Sequence, residues 1–201
     1  LKVPKDYEIR YRNSVLGHDH LNICISETVA DRFMLIHDDD IIDSKLLCRL
    51  HKYLLDKELA NFVIAGTSVV FEEEISTIRG RFNYCASVIY PTVETFLLGL
   101  FVFKGRRYPA FPSYVYTNKV KKHLNCCLEN GGRFADVSFL MDVYKMGKVV
   151  WVPEEIYWYR IHKNNDGHVA DVDSMKSLFR YIRRYDVKFF TKLLVLTIYG
   201  K

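Results

Sequence analysis

The run His37-Asp38-Asp39-Asp40 is where this sequence concentrates groups able to do chemistry. Three adjacent carboxylates repel one another, at a cost that grows with burial. A divalent cation offsets that cost. Carboxylate oxygens suit hard ions such as Mg²⁺ and Mn²⁺, whose coordination shells water and phosphate complete. The competing reading is an acidic surface loop that caps a following helix, with Asp43 or Ser44 as the capping residue.

The elements around this run decide how it is presented. Phe33-Met34-Leu35-Ile36 is a short apolar run that ends in the acids, which predicts a buried strand. After Asp43-Ser44, the residues Leu46, Leu47, Leu50 and Leu54 recur at helical spacing, which predicts a helix through about Leu59. The acids therefore fall between a strand end and a helix start, where open α/β sheets bind ligands.

Downstream, FVIAGTSVVF (62–71) reads as a strand interrupted by Gly66, and Glu72-Glu73-Glu74 as a solvated turn. YCASVIY (84–90) and FLLGLFVF (96–103) are strand-like, although the second also suits a buried helix. KGRRYPAFPSYVYT (104–117) reads as a loop entering a short strand, and 117–130 as a helix stopped at Gly131-Gly132. Asp136 precedes an amphipathic helix that Gly147 closes. Lys148–Val152 is a strand expected to end at Pro153, followed by Tyr157–His162 and a polar turn at 163–167. A last helical pattern runs from Val172 to Tyr185. Without a repeat or a linker, this is one α/β unit with a tail.

Composition supports a single folded domain: 201 residues, 49% hydrophobic and 26% charged. Disorder and disulfide-stapled miniproteins are excluded. The formal charge of +5 is uneven, because residues 176–201 carry seven Lys and Arg against Asp186 alone. The remaining body is close to neutral, which argues against a chain-wide nucleic-acid footprint. Cys24, Cys48, Cys85, Cys126 and Cys127 form no CxxC pair and have apolar neighbours, as reduced, buried thiols do. A reducing, cytoplasmic setting is expected.

In ETVADRFMLIHDDDIIDSKLL the order strand, acid motif, helix resembles the donor-binding segment of family 2 glycosyltransferases. Two further segments extend the likeness over residues 20–168: Asn130–Asp136, and the aromatic stretch from Val149 to His162. The resemblance implies a GT-A fold, a mixed sheet flanked by helices. It also implies Asp39 as the principal metal ligand, with Asp38 and Asp40 contacting metal, ribose or diphosphate. His37 stands where many relatives have an acid. Asp136 would be the catalytic base, with Ala135 in place of the acid that often precedes it, and Arg160 and His162 would close over the diphosphate. Asn22 matches a position where the family often has Asn. Asp136 as a helix N-cap and His162 as a loop anchor are the structural alternatives.

The implied reaction is inverting transfer of a sugar from a nucleotide-diphosphate donor, a UDP-sugar, to a hydroxyl of a glycan or lipid-linked acceptor. One carboxylate would take the acceptor proton and one Mg²⁺ or Mn²⁺ would neutralise the leaving diphosphate. Tyr108, Phe111, Tyr114, Tyr116 and Trp158 are candidates for an aromatic acceptor platform. Two other classes stay open: a phosphohydrolase or nuclease with two ions at the acids, and a non-enzymatic interaction domain with a basic tail. Only 36 residues precede His37, fewer than the nucleotide-binding βαβ units of a GT-A enzyme require, so a partial domain over 1–186 is expected. Tyr7–Tyr11 would be the end of one strand of that front half. The segment 187–201 is read as a separate basic amphipathic piece. Residues 176–201 either lie peripherally on an anionic membrane surface or pack on the domain, and the aromatic content is compatible with a homodimer.

Overall fold

The computed structural model describes residues 17–37, 39–72, 78–82, 87–102, 108–162 and 172–185. Asp38, Cys85, Tyr7–Tyr11, the 163–167 turn and the 187–201 segment lie outside them. Eleven regular elements follow in order: α1 (Gly17–Glu27), β1 (Arg32–Met34), β2 (Ile41–Ile42), α2 (Leu46–Leu54), β3 (Val63–Glu72), β4 (Ile78–Phe82), α3 (Val93–Phe101), β5 (Tyr114–Thr117), α4 (Ala135–Lys145), β6 (Val149–Ile161) and α5 (Val172–Arg184).

Six strands form one mixed sheet in the order β1-β5-β3-β6-β2, with β4 pairing β3 off this path. β3 and β6 are parallel; the other pairs are antiparallel. Alternate residues feed two cores, because successive strand side chains point to opposite faces. Val63, Ala65, Tyr114, Tyr116, Val149 and Trp151 pack with α3, α4 and α5, whereas Ile64, Val115, Val150 and Val152 pack with Leu50 and Tyr53 of α2. A strand covered on both faces reads as a continuous apolar run, which is why β3 is buried from Val63 to Phe71.

β6 does not stop at Pro153. Val63 lies opposite Val149 and Ser68 opposite Tyr157, five steps along β3 against eight along β6. Two of the three surplus residues form a bulge in which Gly66 alone faces Val152, Pro153 and Glu154, and the third, Ile156, is accommodated between Thr67 and Ser68. Pro153 is tolerated there because a bulge residue owes the ladder no N–H. The strand therefore continues to Ile161 and carries Tyr157 and Arg160 to the acids.

Two other expectations change, and one open choice is decided. Phe96–Phe101 of FLLGLFVF lies in a helix, α3, because Thr92 and Thr95 form a reciprocal capping box just after Pro91. Residues 117–130 are not one helix: short 3₁₀ turns at Asn118–His123 and Leu128–Asn130 flank extended chain. The cause is Asn22, whose amide donates to the Cys126 carbonyl at 2.8 Å and accepts the Cys126 N–H at 2.7 Å, taking both groups that a helix would use. β1 is only partly buried, since among the described residues it pairs with β5 alone. Of the cysteines, Cys126 is buried, whereas Cys48 is exposed. No described helix is long and apolar enough to cross a membrane. In α5, Leu178, Phe179, Tyr181 and Ile182 are buried, so this part of the basic stretch spends its apolar face on the domain.

The bulge makes Gly66 irreplaceable. A Cβ there would lie 2.6 Å from Ile156 Cγ1 and 2.8 Å from the Glu154 carbonyl oxygen. Gly66→Ala is expected to cost about 1–3 kcal/mol through overpacking, read as a lower midpoint in thermal or denaturant unfolding. An unchanged midpoint would mean that the two strands part there at no cost.

Candidate functional site

The acid cluster sits past the end of β1 and is held from the side by β6. β2 starts immediately after Asp40 and pairs Ile41 with Trp158 and Ile42 with Tyr157. That register brings Asp40 against the far half of β6. Its carboxylate, 1% exposed, accepts the Tyr157 hydroxyl at 2.7 Å through Oδ2 and the Arg160 backbone N–H at 2.7 Å through Oδ1. Burial and the carboxylate it donates to push the Tyr157 hydroxyl well above its ordinary pKa, so it remains a donor.

Asp39 is more open, and its Oδ2 lies 2.7 Å from His162 Nε2. That contact holds the Asp39 carboxyl below its usual range. His37 Nδ1 is 3.6 Å from Asp40 Oδ2, and its ring stacks on Phe111 with centroids 6.1 Å apart. Its hydrogen bond to Asp40 raises the His37 pKa against the opposing effect of burial, helped by the charges of Asp39 and Asp136. One ligand atom from each of His37, Asp39 and Asp40 falls within 4.8 Å of the others. One imidazole nitrogen and two carboxylate oxygens suit a Mn²⁺-like ion with further positions open to water or phosphate. Tyr157 and the Arg160 N–H would then be the outer partners that orient Asp40.

Asp136 comes from the other side, as the second residue of α4. It is not the N-cap, a position that Phe134 holds without a side-chain bond. Desolvation raises its carboxyl above the ordinary range, while first-turn N–H groups and the His37 charge pull it back. Its charge also acts on Tyr108, Tyr116 and Cys126, and the Cys126 thiol is pushed up to about 11, chiefly by burial. The cluster and Asp136 thus share His37, which senses the charge of both.

Of the residues singled out by sequence, Asp39, Asp40, His162 and the Arg160 backbone meet in one place. Arg160 contributes its N–H; its guanidinium lies over the Phe71 ring at 5.6 Å. His37 and Tyr157 complete the group, and sequence reasoning gave neither a role. The available signal for Tyr157 was its place in β6, three residues before Arg160. Three members of the proposed aromatic platform are core instead. Phe111 is wedged between His37 and Phe139, the Tyr114 hydroxyl meets that of Tyr144 at 2.7 Å, and Tyr116 stacks on Phe33. They face the helices behind the sheet, and Tyr108 packs edge-on against Phe96 of the same core, which leaves the partly buried Trp158.

Comparison with known proteins follows the same lines. The chain is similar to the solved structure of S. aureus TarS residues 1–349 in complex with UDP-GlcNAc, with 12% identity, 88% of this chain and 50% of that chain covered, and a TM-score of 0.59. It is also similar to S. aureus TarS 1–349, with 14% identity, 89% and 48% coverage, and a TM-score of 0.54. No family model and no curated protein sequence matches it. The chain spans about half the length of the TarS chains. The likeness is therefore one of fold: a curled mixed sheet flanked by helices, the GT-A-like arrangement.

Proposed function

We propose that this chain is the core of a family 2 type glycosyltransferase that moves a sugar from a UDP-sugar to an acceptor hydroxyl with inversion. One observation carries the reading: a His/Asp/Asp group with the ligand atoms of a metal site shares the electrostatic reach of a desolvated carboxylate, on the fold of a protein solved with UDP-GlcNAc. Asp39, Asp40 and His37 would hold the metal, with Asp38 beside them in sequence. When bound, the ion would neutralise charge developing on the leaving diphosphate. His162 would turn from Asp39 towards the diphosphate as donor enters, and Arg160 would line the same side.

On the acceptor side, Asp136 takes the proton of the attacking hydroxyl as its oxygen bonds to the anomeric carbon. The bond from that carbon to the diphosphate oxygen breaks, and its electron pair leaves with the nucleotide. A carboxyl raised by desolvation is a stronger base than an exposed one, which suits it to accept a proton near neutral pH. The acceptor is a glycan or lipid-linked hydroxyl.

Asp136→Asn is expected to lower transfer by roughly 10²–10⁴-fold, the usual contribution of a general base. Thermal stabilisation by a UDP-sugar with Mn²⁺ should persist in that variant. Its melting temperature should not fall at neutral pH. The folded-state pKa of Asp136 is raised, so its ionised form is penalised above the ordinary carboxylate pKa and the amide removes that penalty. Retained turnover would refute the base assignment.

The wild-type rate should decline as pH falls through the raised Asp136 pKa, leaving an acidic limb above that of an exposed aspartate. A rate flat down to the ordinary carboxylate range would show that a different group takes the proton.

Asp39→Ala and His37→Ala should each weaken Mn²⁺ binding, measured by calorimetry, by at least the roughly 10–100-fold that losing even an outer partner of a ligand costs. Unchanged affinity in both would remove the metal from this site.

A further inference from the structure

The Gly131-Gly132 pair, which sequence suggested as a helix stop, has a different job. A 3₁₀ turn, Gly132–Phe134, with Gly131 as its own N-cap, leads directly into α4, so it sets where the helix that carries Asp136 starts. Glycine has no side chain with which to cap it. Opening N–H groups of a helix need acceptors, and a hydroxyl two or three residues back normally supplies one. Here the acceptor comes from another helix: the Arg133 N–H donates to Ser174 Oγ of α5 at 2.9 Å.

The approach is close enough to require glycine. Gly132 has φ +57, and a Cβ on it would lie 2.1 Å from Ser174 Oγ and 2.9 Å from Ser174 Cα. The contact continues along one face of α5. The Ser177 hydroxyl donates to the Glu129 carbonyl at 2.6 Å, the Tyr181 hydroxyl donates to Asp142 at 2.7 Å, and the Tyr185 hydroxyl reaches the same carboxylate. Spacings of three, four and four residues mark a single helical face, applied to the turn before α4 and to α4 itself. Ser174 and Ser177 are the buried polar residues on a face otherwise filled by Leu178, Tyr181 and Ile182.

We propose that Ser174 is a positioning residue for Asp136, bracing from α5 the 3₁₀ turn that leads into the base-bearing helix and so fixing where that helix starts. The inference rests on the reading of Asp136 as the base. Ser174 touches no reacting atom; it acts through the Arg133 N–H. A displaced first turn misplaces the carboxylate, and misplacement by about 1 Å costs on the order of 100-fold in rate.

The test is a comparison of Ser174→Ala, Ser174→Thr and, as a structural control on the opposite layer, Tyr53→Phe, which loses the bond from its hydroxyl to Glu154. Ser174→Ala should lower kcat by roughly 10–100-fold with the UDP-sugar KM unchanged, and Ser174→Thr should restore much of it. Tyr53→Phe should lose stability without that loss in kcat. The carbon-13 titration of the Asp136 carboxyl gives a readout independent of turnover. Solvent admitted at a loosened turn should move it down in Ser174→Ala, against a background of His37, Tyr108, Tyr116 and Cys126, which face it from the neighbouring elements. Wild-type turnover with an unchanged kcat in Ser174→Ala would overturn this inference alone. If the wild type transfers no sugar, the base reading fails, and an unmoved Asp136 titration would overturn the positioning claim as well.

Discussion

The Asp40 carboxylate is the contact on which the site depends. It is almost without solvent and accepts two hydrogen bonds from β6, one from a side chain and one from the backbone. A hydrogen bond to a buried charge contributes about 1.5–3 kcal/mol, so losing either donor is costly and the arrangement resists sliding. It ties the loop after β1 to a strand more than a hundred residues away. Once Asp40 is fixed, the pairing of β2 with Tyr157 and Trp158 follows, and Asp39 is carried to His162. Asp39 and Asp40 are thus not equivalent: Asp40 acts largely as an anchor whose oxygen also falls in the candidate metal group, while Asp39 keeps the more open carboxylate.

That anchor works only because β6 reaches it, which in turn depends on the bulge. A regular partner to β3 would have placed Tyr157 three positions further along the ladder, out of register with Asp40. Gly66 and Pro153 together permit the surplus residues: one accepts close backbone approach, the other needs no ladder bond. A stability constraint in the sheet centre and the geometry at its edge are therefore one constraint. The same applies across the molecule, where Asn22 holds Cys126 and so shapes the segment leading to the Asp136 turn.

Much of this was legible in the sequence, and the parts that were not have physical causes. The order strand, acids, helix could be read because a short continuous apolar run gives way to leucines of helical period, with charge between them. The aromatic stretch through His162 was recognisable by type. What periodicity could not show was decided by single polar side chains at long range. Asn22 unmade a helix over 117–130, and Thr92 with Thr95 made one in a segment whose apolar run suits a strand equally well. Pro153 ends most strands, and only the glycine opposite it in β3 explains the exception. Phe111, Tyr114 and Tyr116 show the converse limit: aromatic clustering near a loop does not distinguish a binding platform from a core that lies behind it.

The electrostatics separate the two halves of the site by how each carboxylate is surrounded. Asp39 has a histidine partner and is held ionised; Asp136 lies among Tyr108, Tyr116 and Cys126, uncharged groups at neutral pH, and is held closer to its neutral form. Two carboxylates pushed in opposite directions are the arrangement expected where one must keep its charge and the other must exchange a proton. His37 lies between them and responds to both, so a change of charge at the cluster alters the proton affinity of Asp136 through the same imidazole. Binding of a cation at His37 would replace a proton there with a fixed positive centre, keeping an attractive field on Asp136 without a titrating one. In that arrangement the histidine at the head of the acid run is no departure from a ligand pattern. It is the residue through which the cluster and Asp136 are electrostatically coupled.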